Sequence, residues 1–343
     1  MYKFASTSAF VAVSLAASAA YAGFESPSGG PNLGDPSDPF DSFDAVIRTG
    51  VGLNDNVELW PDLQSFAPRN SNTFESLFAT ATLDAIYRHR AGATWTVGAA
   101  LRADGTMYLE EIPAALQPTY GDFDDFDTVI VNPSLFAAAT LDGVDVRFVY
   151  GFRFEDGRNV HAIGLNSHTL GVELTKELSA AWRLRGGLNH AWNDYHIVFP
   201  DPVNDRDGTR TAFDFGADYF IGGGVWVLSA TANVAVNDSN GRNWKYAGYG
   251  GTLGARTVLM PGLFASAEAG FEHRDYRGFD VPFIPPPGRE EQDIFTAKAK
   301  LVYRIDERFS ADAHVVYNGY DANMAQFEGD QTVYGLGLTT KLY

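Results

Sequence analysis

Apolar and polar side chains alternate along most of the chain with a period of two residues. The clearest run covers residues 144–154, where Val, Phe and Tyr occupy the even positions and Asp145, Arg147 and Arg153 occupy odd positions. Successive side chains of a β-strand point to opposite faces, so this run predicts a strand with one apolar and one charged face. Such a strand suits a wall that separates lipid from water.

The same alternation recurs through the rest of the chain and predicts about fourteen strands. Each predicted strand has about ten residues or more, whereas strands of soluble proteins usually have five or six. A length of about ten residues matches a tilted crossing of a bilayer. We therefore predict an all-β fold, a transmembrane antiparallel up-and-down β-barrel of about fourteen strands within residues 42–343.

The connections between the predicted strands alternate between short and long. Long polar connections separate short ones that include the pairs Asp-Gly and Gly-Gly, which favour hairpin turns. The predicted short turns are residues 88–90, 142–143, 176–177, 222–224, 260–262 and 306–308. Barrels of the outer membrane have short periplasmic turns and long extracellular loops. The pattern predicts six such turns and seven such loops.

Aromatic residues cluster near the predicted strand ends, where the interfaces of a membrane favour them. The predicted belt beside the short turns consists of Tyr87, Trp182, Tyr219, Phe220, Trp226, Phe264, Tyr303 and Phe309. The predicted belt beside the long loops consists of Tyr108, Phe154, Trp192, Tyr195 and Trp244. Two such belts favour a membrane barrel over a soluble β-sandwich or a secreted adhesin.

The first residues have the pattern of an export signal. Lys3 precedes a short apolar stretch at residues 9–20, and Ala20-Tyr21-Ala22 forms a small-x-small cleavage site. We predict a signal peptide at residues 1–22 and, with the strand pattern, a location in the bacterial outer membrane. Residues 23–41 are rich in Gly, Pro and Asp and predict a flexible lead, which either stays free or plugs the lumen.

Composition excludes several classes of protein. The 343 residues include 25 Lys and Arg against 43 Asp and Glu, a formal net charge of −18, which disfavours nucleic acid as a partner. The chain has no cysteine, so disulfides and thiolate metal sites are excluded. The seven histidines form no ligand-spaced pair, and we predict no metal and no cofactor. Two acidic clusters, at residues 122–127 and 201–207, have two interpretations. They either bind divalent cations or are solvated loop tips, and we favour the second interpretation.

We predict no catalytic residues. Ser167 and His168 are sequence neighbours, so a strand directs their side chains to opposite faces. A nucleophile needs a base and an orienting group on its own face, and these two residues do not form such a set. Pairs of an acid and a histidine at the rim of the barrel, as barrel proteases of the omptin kind use, are the alternative. We therefore predict that the protein is not an enzyme.

Charges on the predicted inward face nearly balance, so the acidity of the chain resides in its loops and lead. A balanced, charged wall is either the lining of a weakly selective, water-filled pore or a ladder of ion pairs that stabilises the wall. We favour the pore. The predicted lumen or constriction residues are Arg147, Arg153, Arg183, Arg185, Glu268, Glu272, Lys298 and Lys300.

Segments near both ends of the predicted barrel resemble a known group of proteins. The first is GVGLNDNV at residues 50–57, and the others are residues 303–317, 320–323 and 334–343. Together they resemble a group of outer-membrane β-barrel porins and the C-terminal barrel of surface lipoprotein assembly modifiers. The resemblance implies fourteen strands and insertion by the barrel assembly machinery, with Leu342 and Tyr343 as the C-terminal insertion signal. The assembly modifiers carry a helical repeat domain where this chain has its lead.

The sequence as a whole predicts a porin-like channel for passive diffusion of small hydrophilic solutes, surrounded by outer-membrane lipid and lipopolysaccharide. One alternative is a secretion or assembly barrel that exports a surface lipoprotein or polysaccharide with separate periplasmic partners. Another is a surface adhesin or receptor barrel. An obstructed lumen would favour the first alternative, and a closed lumen with ordered outer loops would favour the second.

Overall fold

The computed structural model describes residues 42–55, 75–110, 127–157, 164–196, 202–278, 290–322 and 329–342. These residues form fourteen long strands and two short 3-10 turns, Pro202–Asn204 and Arg242–Trp244. The strands are β1 Ser42–Asn54, β2 Ser76–Ala91, β3 Trp95–Tyr108, β4 Thr128–Leu141, β5 Val144–Gly157, β6 Leu165–Ser179, β7 Trp182–Tyr195, β8 Gly208–Ile221, β9 Trp226–Ser239, β10 Tyr246–Met260, β11 Leu263–Tyr276, β12 Glu291–Arg304, β13 Phe309–Ala322 and β14 Gly329–Lys341. The predicted signal peptide and lead lie outside the described residues.

The sheet closes on itself. Each strand pairs antiparallel with its neighbours in sequence, and β1 also pairs with β14. This seam runs from Val46 opposite Lys341 to Asn54 opposite Val333. Closure leaves no strand edge unpaired, which is what a backbone surrounded by lipid requires. The predicted fold class, a fourteen-stranded antiparallel barrel, is confirmed.

The alternation of tight turns with longer connections is also confirmed, although two predicted turns were wrong. Strand β2 continues through residues 88–90 to Ala91, and β6 continues through residues 176–177 to Ser179. The chain reverses after β2 at Gly92, whose φ of 82° suits a turn. The turn at residues 142–143 lies where it was predicted, with φ of 51° at Asp142 and 72° at Gly143, as a primed hairpin turn requires.

The alternating pattern gives the barrel an apolar outer wall. On β5 the outward Phe148 and Tyr150 are 47% and 40% exposed, whereas the intervening Val149 faces the interior. Large apolar side chains are exposed in this way on strand after strand, for example Leu253 on β10 and Leu336 on β14. A continuous apolar wall of this extent belongs in lipid, and a closed barrel with this wall belongs in the bacterial outer membrane. None of the helices among the described residues has the length and apolar character needed to cross a membrane.

On the inner wall, glycines let neighbouring side chains lie flat. A Cβ atom at Gly98 would collide with the ring of Phe136, which covers this position from the next strand. Phe136 thereby packs with Ile86 and Ala100 in a small apolar cluster. Gly52 accepts the ring of Phe78 in the same manner. These rings lie along the wall instead of projecting into the centre.

Candidate functional site

The inner wall of the barrel brings the predicted lumen residues into ion pairs. Arg183 and Arg185 on β7 both contact Asp218 on β8, each with an N–O distance of 2.9 Å. The hydroxyl of Ser229 donates a further hydrogen bond to Asp218 at 2.8 Å. Asp218 is only 3% exposed, so its charge is offset by the two guanidinium groups and not by bulk water.

The other two predicted arginines each have an acidic neighbour. Arg147 on β5 pairs with Glu173 on β6. Arg153 pairs with Glu155, two residues further along the same strand, at 2.6 Å. Residues two apart on a strand share a face, so the spacing that suggested an inward phase also brings this pair together.

The predicted acidic and lysine residues form a third group on β11 to β13. Lys298 contacts Glu268 at 3.5 Å, and Glu272 contacts Arg274 at 2.8 Å. Lys300 contacts Asp312 at 3.5 Å. All eight predicted lumen residues therefore face the interior, and each has an oppositely charged neighbour.

Sequence reasoning missed three further charged residues of this wall. Asp84 accepts from Arg48 at 3.0 Å, Asp104 pairs with Arg102 at 2.8 Å, and Arg88 pairs with an acid on β1 at 2.6 Å. The two-residue period of β2 and β3 contains the signal that could have found them. Arg88 was missed because residues 88–90 were predicted to be a turn.

These ion pairs run along the wall. The ion pairs named above join residues on the same strand or on adjacent strands. Arg256 and Asp214 also face the interior, and neither has an ion-pair partner among the described residues. The wall thus combines neutralised pairs with single charges that water and solutes can reach.

At the loop end of the barrel, two connections pack against each other. The amide of Gly241 donates to the carbonyl of Asp205 at 2.8 Å, and the amide of Asn240 donates to the carbonyl of Asp207 at 2.6 Å. The guanidinium of Arg206 lies 4.0 Å from the centre of the Trp244 ring, a cation–π contact. Burial lowers the pKa of Arg206 from its ordinary value.

Glu290 lies at the same end, immediately before β12. It is 2% exposed, and burial raises the pKa of its carboxyl group to about 8. Its backbone carbonyl accepts the amide of Tyr276 at 2.9 Å, which anchors the residue at the mouth of the barrel. Burial therefore favours the neutral form of this carboxyl group.

Most predicted belt residues lie on the outer wall. The predicted belt residues that are exposed on this face are Tyr87, Trp182, Trp192, Tyr219, Trp226, Tyr303 and Phe309. Phe154 lies on the same face, half-buried, with its ring 6.0 Å from that of His196. Leu342 is exposed beside β1, and Tyr343 lies outside the described residues.

Five predicted belt residues were wrong. Trp244 does not reach the outer wall because it packs under Arg206 in a 3-10 turn. The other four occupy positions of their strands that face the interior of the barrel. These residues are Tyr108, Tyr195, Phe220 and Phe264. Arg183 lies 5.0 Å from the Phe220 ring, so this aromatic residue belongs to the lumen at the turn end. The prediction used only the distance of each aromatic residue from a turn. The alternation of inward and outward positions along each strand would have separated the outward aromatic residues from the inward ones.

Ser167 and His168, which were considered as a catalytic pair, form hydrogen bonds within the barrel wall and not with each other. Ser167 faces inward and donates to Asn193 at 2.7 Å, whereas His168 faces outward, 2.8 Å from the Tyr150 hydroxyl.

In the described ranges, no group of three or more His, Asp or Glu side chains is arranged to hold a metal. In the second acidic cluster, Asp207 accepts the amide of Tyr195 at 2.7 Å. Residues 122–126 of the first cluster lie outside the described ranges. That the protein is not an enzyme stays a prediction.

Comparison with known proteins identifies relatives in fold. No family model matches the chain, and no curated protein matches it. The in-vitro folded OmpT, an outer membrane protein of Vibrio cholerae, is 9% identical with a TM-score of 0.50, covering 88% of this chain and 97% of its own. An outer membrane channel from Pseudomonas putida F1 is 13% identical with a TM-score of 0.46, covering 91% and 100%. Pseudomonas aeruginosa OprD is 10% identical with a TM-score of 0.40, covering 88% and 95%. The chain shares the fold of outer-membrane β-barrels.

Proposed function

We propose that this barrel is a passive channel through which small hydrophilic solutes diffuse across the outer membrane. The observation that carries the proposal is the construction of the inner wall, where charged side chains pair along the wall. The Arg183–Asp218 and Lys298–Glu268 pairs join adjacent strands, and Arg153 pairs within one strand. Side chains arranged in this way keep the wall polar without filling the centre of the barrel.

The same wall accounts for the selectivity that we propose. Paired charges present local dipoles with little net field, so cations and anions meet similar energies along the wall. Arg256 and Asp214 are single charges of opposite sign on the same wall. The channel is therefore weakly selective by charge and discriminates mainly by solute size.

Export and assembly complete the proposal. The signal peptide at residues 1–22 directs the chain to the envelope, and residues 23–41 form a lead ahead of the barrel. The barrel assembly machinery reads Leu342 and Tyr343 at the end of the last strand. The resemblance to surface lipoprotein assembly modifiers supports this part of the proposal only through the shared barrel pattern.

A second candidate function, a secretion or assembly barrel, is favoured by packing at the loop end. Tyr246, Tyr276, Gln292 and Tyr320 face inward there, and each is less than 10% exposed. A narrow outer mouth suits a barrel that opens only with a periplasmic partner. The two candidates differ in whether the isolated protein conducts solutes.

Swelling of proteoliposomes tests the proposal. The purified protein is reconstituted in vesicles and diluted into isotonic arabinose, glucose, sucrose or raffinose, with protein-free vesicles as the control. We expect swelling that is fastest with arabinose and slows steadily as the sugar becomes larger. Vesicles that swell no faster than the control with every sugar would exclude a diffusion channel and favour the secretion or assembly barrel.

A further inference from the structure

The outer wall carries a positive charge near the turn end that its described neighbours do not neutralise. Among the described strand residues, Lys176 on β6 is the one Lys or Arg with an outward side chain. It is exposed, and no described residue forms an ion pair with it. Lipid-facing lysines are costly at the centre of a bilayer and cheap only near its interfaces. A lysine retained on this wall therefore points to an anionic partner at the membrane surface.

Neighbouring aromatics place Lys176 at the level of the periplasmic headgroups. Lys176 pairs across the strands with Leu184, two residues beyond Trp182 at the start of β7. The rings of Trp182 and Tyr219 lie 4.7 Å apart on the outer wall at this end. Paired aromatics of this type lie at membrane interfaces, and a lysine stem can extend toward the same level.

An apolar groove begins beside Lys176 and runs deeper into the membrane. The groove forms at Gly186 on β7, because this residue has no side chain on the outward face. Gly186 lies directly between Leu174 on β6 and Phe215 on β8. Val172, Leu188 and Phe213 form the deeper walls. The groove has a volume of about 510 Å³, within the range of cavities that hold small ligands.

We propose that this groove binds one acyl chain of an anionic phospholipid from the periplasmic leaflet, with the lipid phosphate held by the ammonium of Lys176. The order of features along the wall matches the order within the lipid. The cation lies at the interface, and the apolar groove extends from it toward the membrane centre. The site lies on the outside of the barrel, so the inference goes beyond the channel function and does not depend on it.

Charge also decides between a lipid and a second copy of the chain. A symmetric contact at this groove would bring two Lys176 ammonium groups together, because a twofold interface uses the same patch on both subunits. No described Asp or Glu on the outward face of β6 or β7 near the turn end could neutralise them. An anionic lipid supplies the missing charge directly.

Native mass spectrometry of the full-length protein in detergent tests the site, with phosphatidylglycerol and phosphatidylcholine of identical acyl chains as the two probes. We expect the protein to retain one phosphatidylglycerol at least tenfold more than phosphatidylcholine. Lys176→Gln is expected to remove this preference. Gly186→Leu is expected to reduce retention of both lipids, because the new side chain fills the groove. A Cβ atom at Gly186 lies 3.7 Å from its nearest neighbour, so this variant has room to fold.

Two matched variants control for general effects. Gly105→Leu adds the same side chain at another outward glycine, whose Cβ would lie 4.0 Å from the nearest atom. Lys245→Gln removes the same charge at the loop end. Both are expected to retain phosphatidylglycerol like the unaltered protein. Equal retention by Lys176→Gln and the unaltered protein would overturn the proposal, as would a dimer that Gly186→Leu dissociates. Neither result bears on solute diffusion, which the swelling assay measures separately.

Discussion

At the scale of single residues, Asp218 shows how the inner wall handles charge. One carboxylate on β8 serves two arginines of β7, and Ser229 of β9 completes its hydrogen bonds. Asp214 lies four residues away on the same strand and faces the same interior without an ion pair among the described residues. The two acids therefore differ in their partners while sharing strand, face and charge.

Replacement of Asp218 by Asn tests what the paired acid contributes. Asp218→Asn leaves Arg183 and Arg185 without their counter-charge, and we expect the free energy of unfolding to fall by about 2 kcal/mol. Guanidinium unfolding of the barrel refolded in lipid vesicles measures this change. Asp214→Asn removes the same charge without breaking an ion pair, and its unfolding free energy should change by less than about 0.5 kcal/mol. Equal losses in the two variants would contradict the role assigned to the pair.

Glu290 predicts a pH dependence of stability at the outer mouth. Its pKa rises from 4.5 to about 8 in the folded barrel, so the folded state binds more protons than the unfolded state between these values. Stability therefore falls as pH rises from about 4.5 to 8, by up to about 1.4 kcal/mol per pH unit from this group. The measurement is the unfolding free energy between pH 5 and pH 9.

Substitution of Glu290 isolates this effect. Glu290→Gln cannot ionise, so its stability should decline less steeply across the same pH range. Glu291→Gln changes the next residue, which is exposed on the other face of the chain, and its slope should match that of the unaltered protein. If both variants keep the original slope, the burial of Glu290 does not govern the pH response.

At the scale of strands, the two-residue period was sufficient to predict most of the barrel. It predicts fourteen strands, their antiparallel order, and the inward face of Arg147, Arg185 and Lys298, because a strand assigns faces by position alone. Turn positions were less predictable. The chain reverses at Gly92 and not at residues 88–90, since a glycine accepts the positive φ of the turn and the charged residues continue the strand.

The parts of the site that sequence could not predict depend on contacts between distant segments. Trp244 was predicted to lie in a membrane-interface belt, but Arg206 from another loop packs on its ring. Lys176 looked like a turn residue, and only the extension of β6 to Ser179 places it on the outer wall. Glu290 carries no local signal of burial, because its environment is created when the mouth of the barrel assembles.

The packing of rings on inward glycines gives a prediction at the same scale. Gly98→Ala places a Cβ against the Phe136 ring and the carbonyl of Tyr87, and we expect a loss of about 2 kcal/mol in unfolding free energy. Gly151→Ala is the control, because the nearest atom to its Cβ would be 4.0 Å away. Urea or guanidinium midpoints of the two refolded variants provide the comparison. If Gly151→Ala loses as much stability as Gly98→Ala, ring packing is not the reason for the inward glycine.

At the scale of the whole molecule, the excess negative charge and the nearly neutral inner wall belong to different parts of the chain. The chain has a net charge of −18, yet its inner wall consists largely of neutralised ion pairs such as Lys300–Asp312 and Arg48–Asp84. The excess of acids therefore belongs to the loops and the lead, outside the ion-paired wall. A solute that enters the barrel meets a wall with little net field, which is the condition for weak charge selectivity.

Single-channel recording in a planar bilayer tests the central claim, that this barrel is an open and weakly selective channel. The mature chain and a version lacking residues 23–41 are inserted separately, and ion selectivity is taken from the reversal potential in a salt gradient. We predict stable open steps for the mature chain and a cation-to-anion permeability ratio near one. Current that appears only without residues 23–41 would instead identify the lead as a plug. Silence of both proteins would contradict the channel.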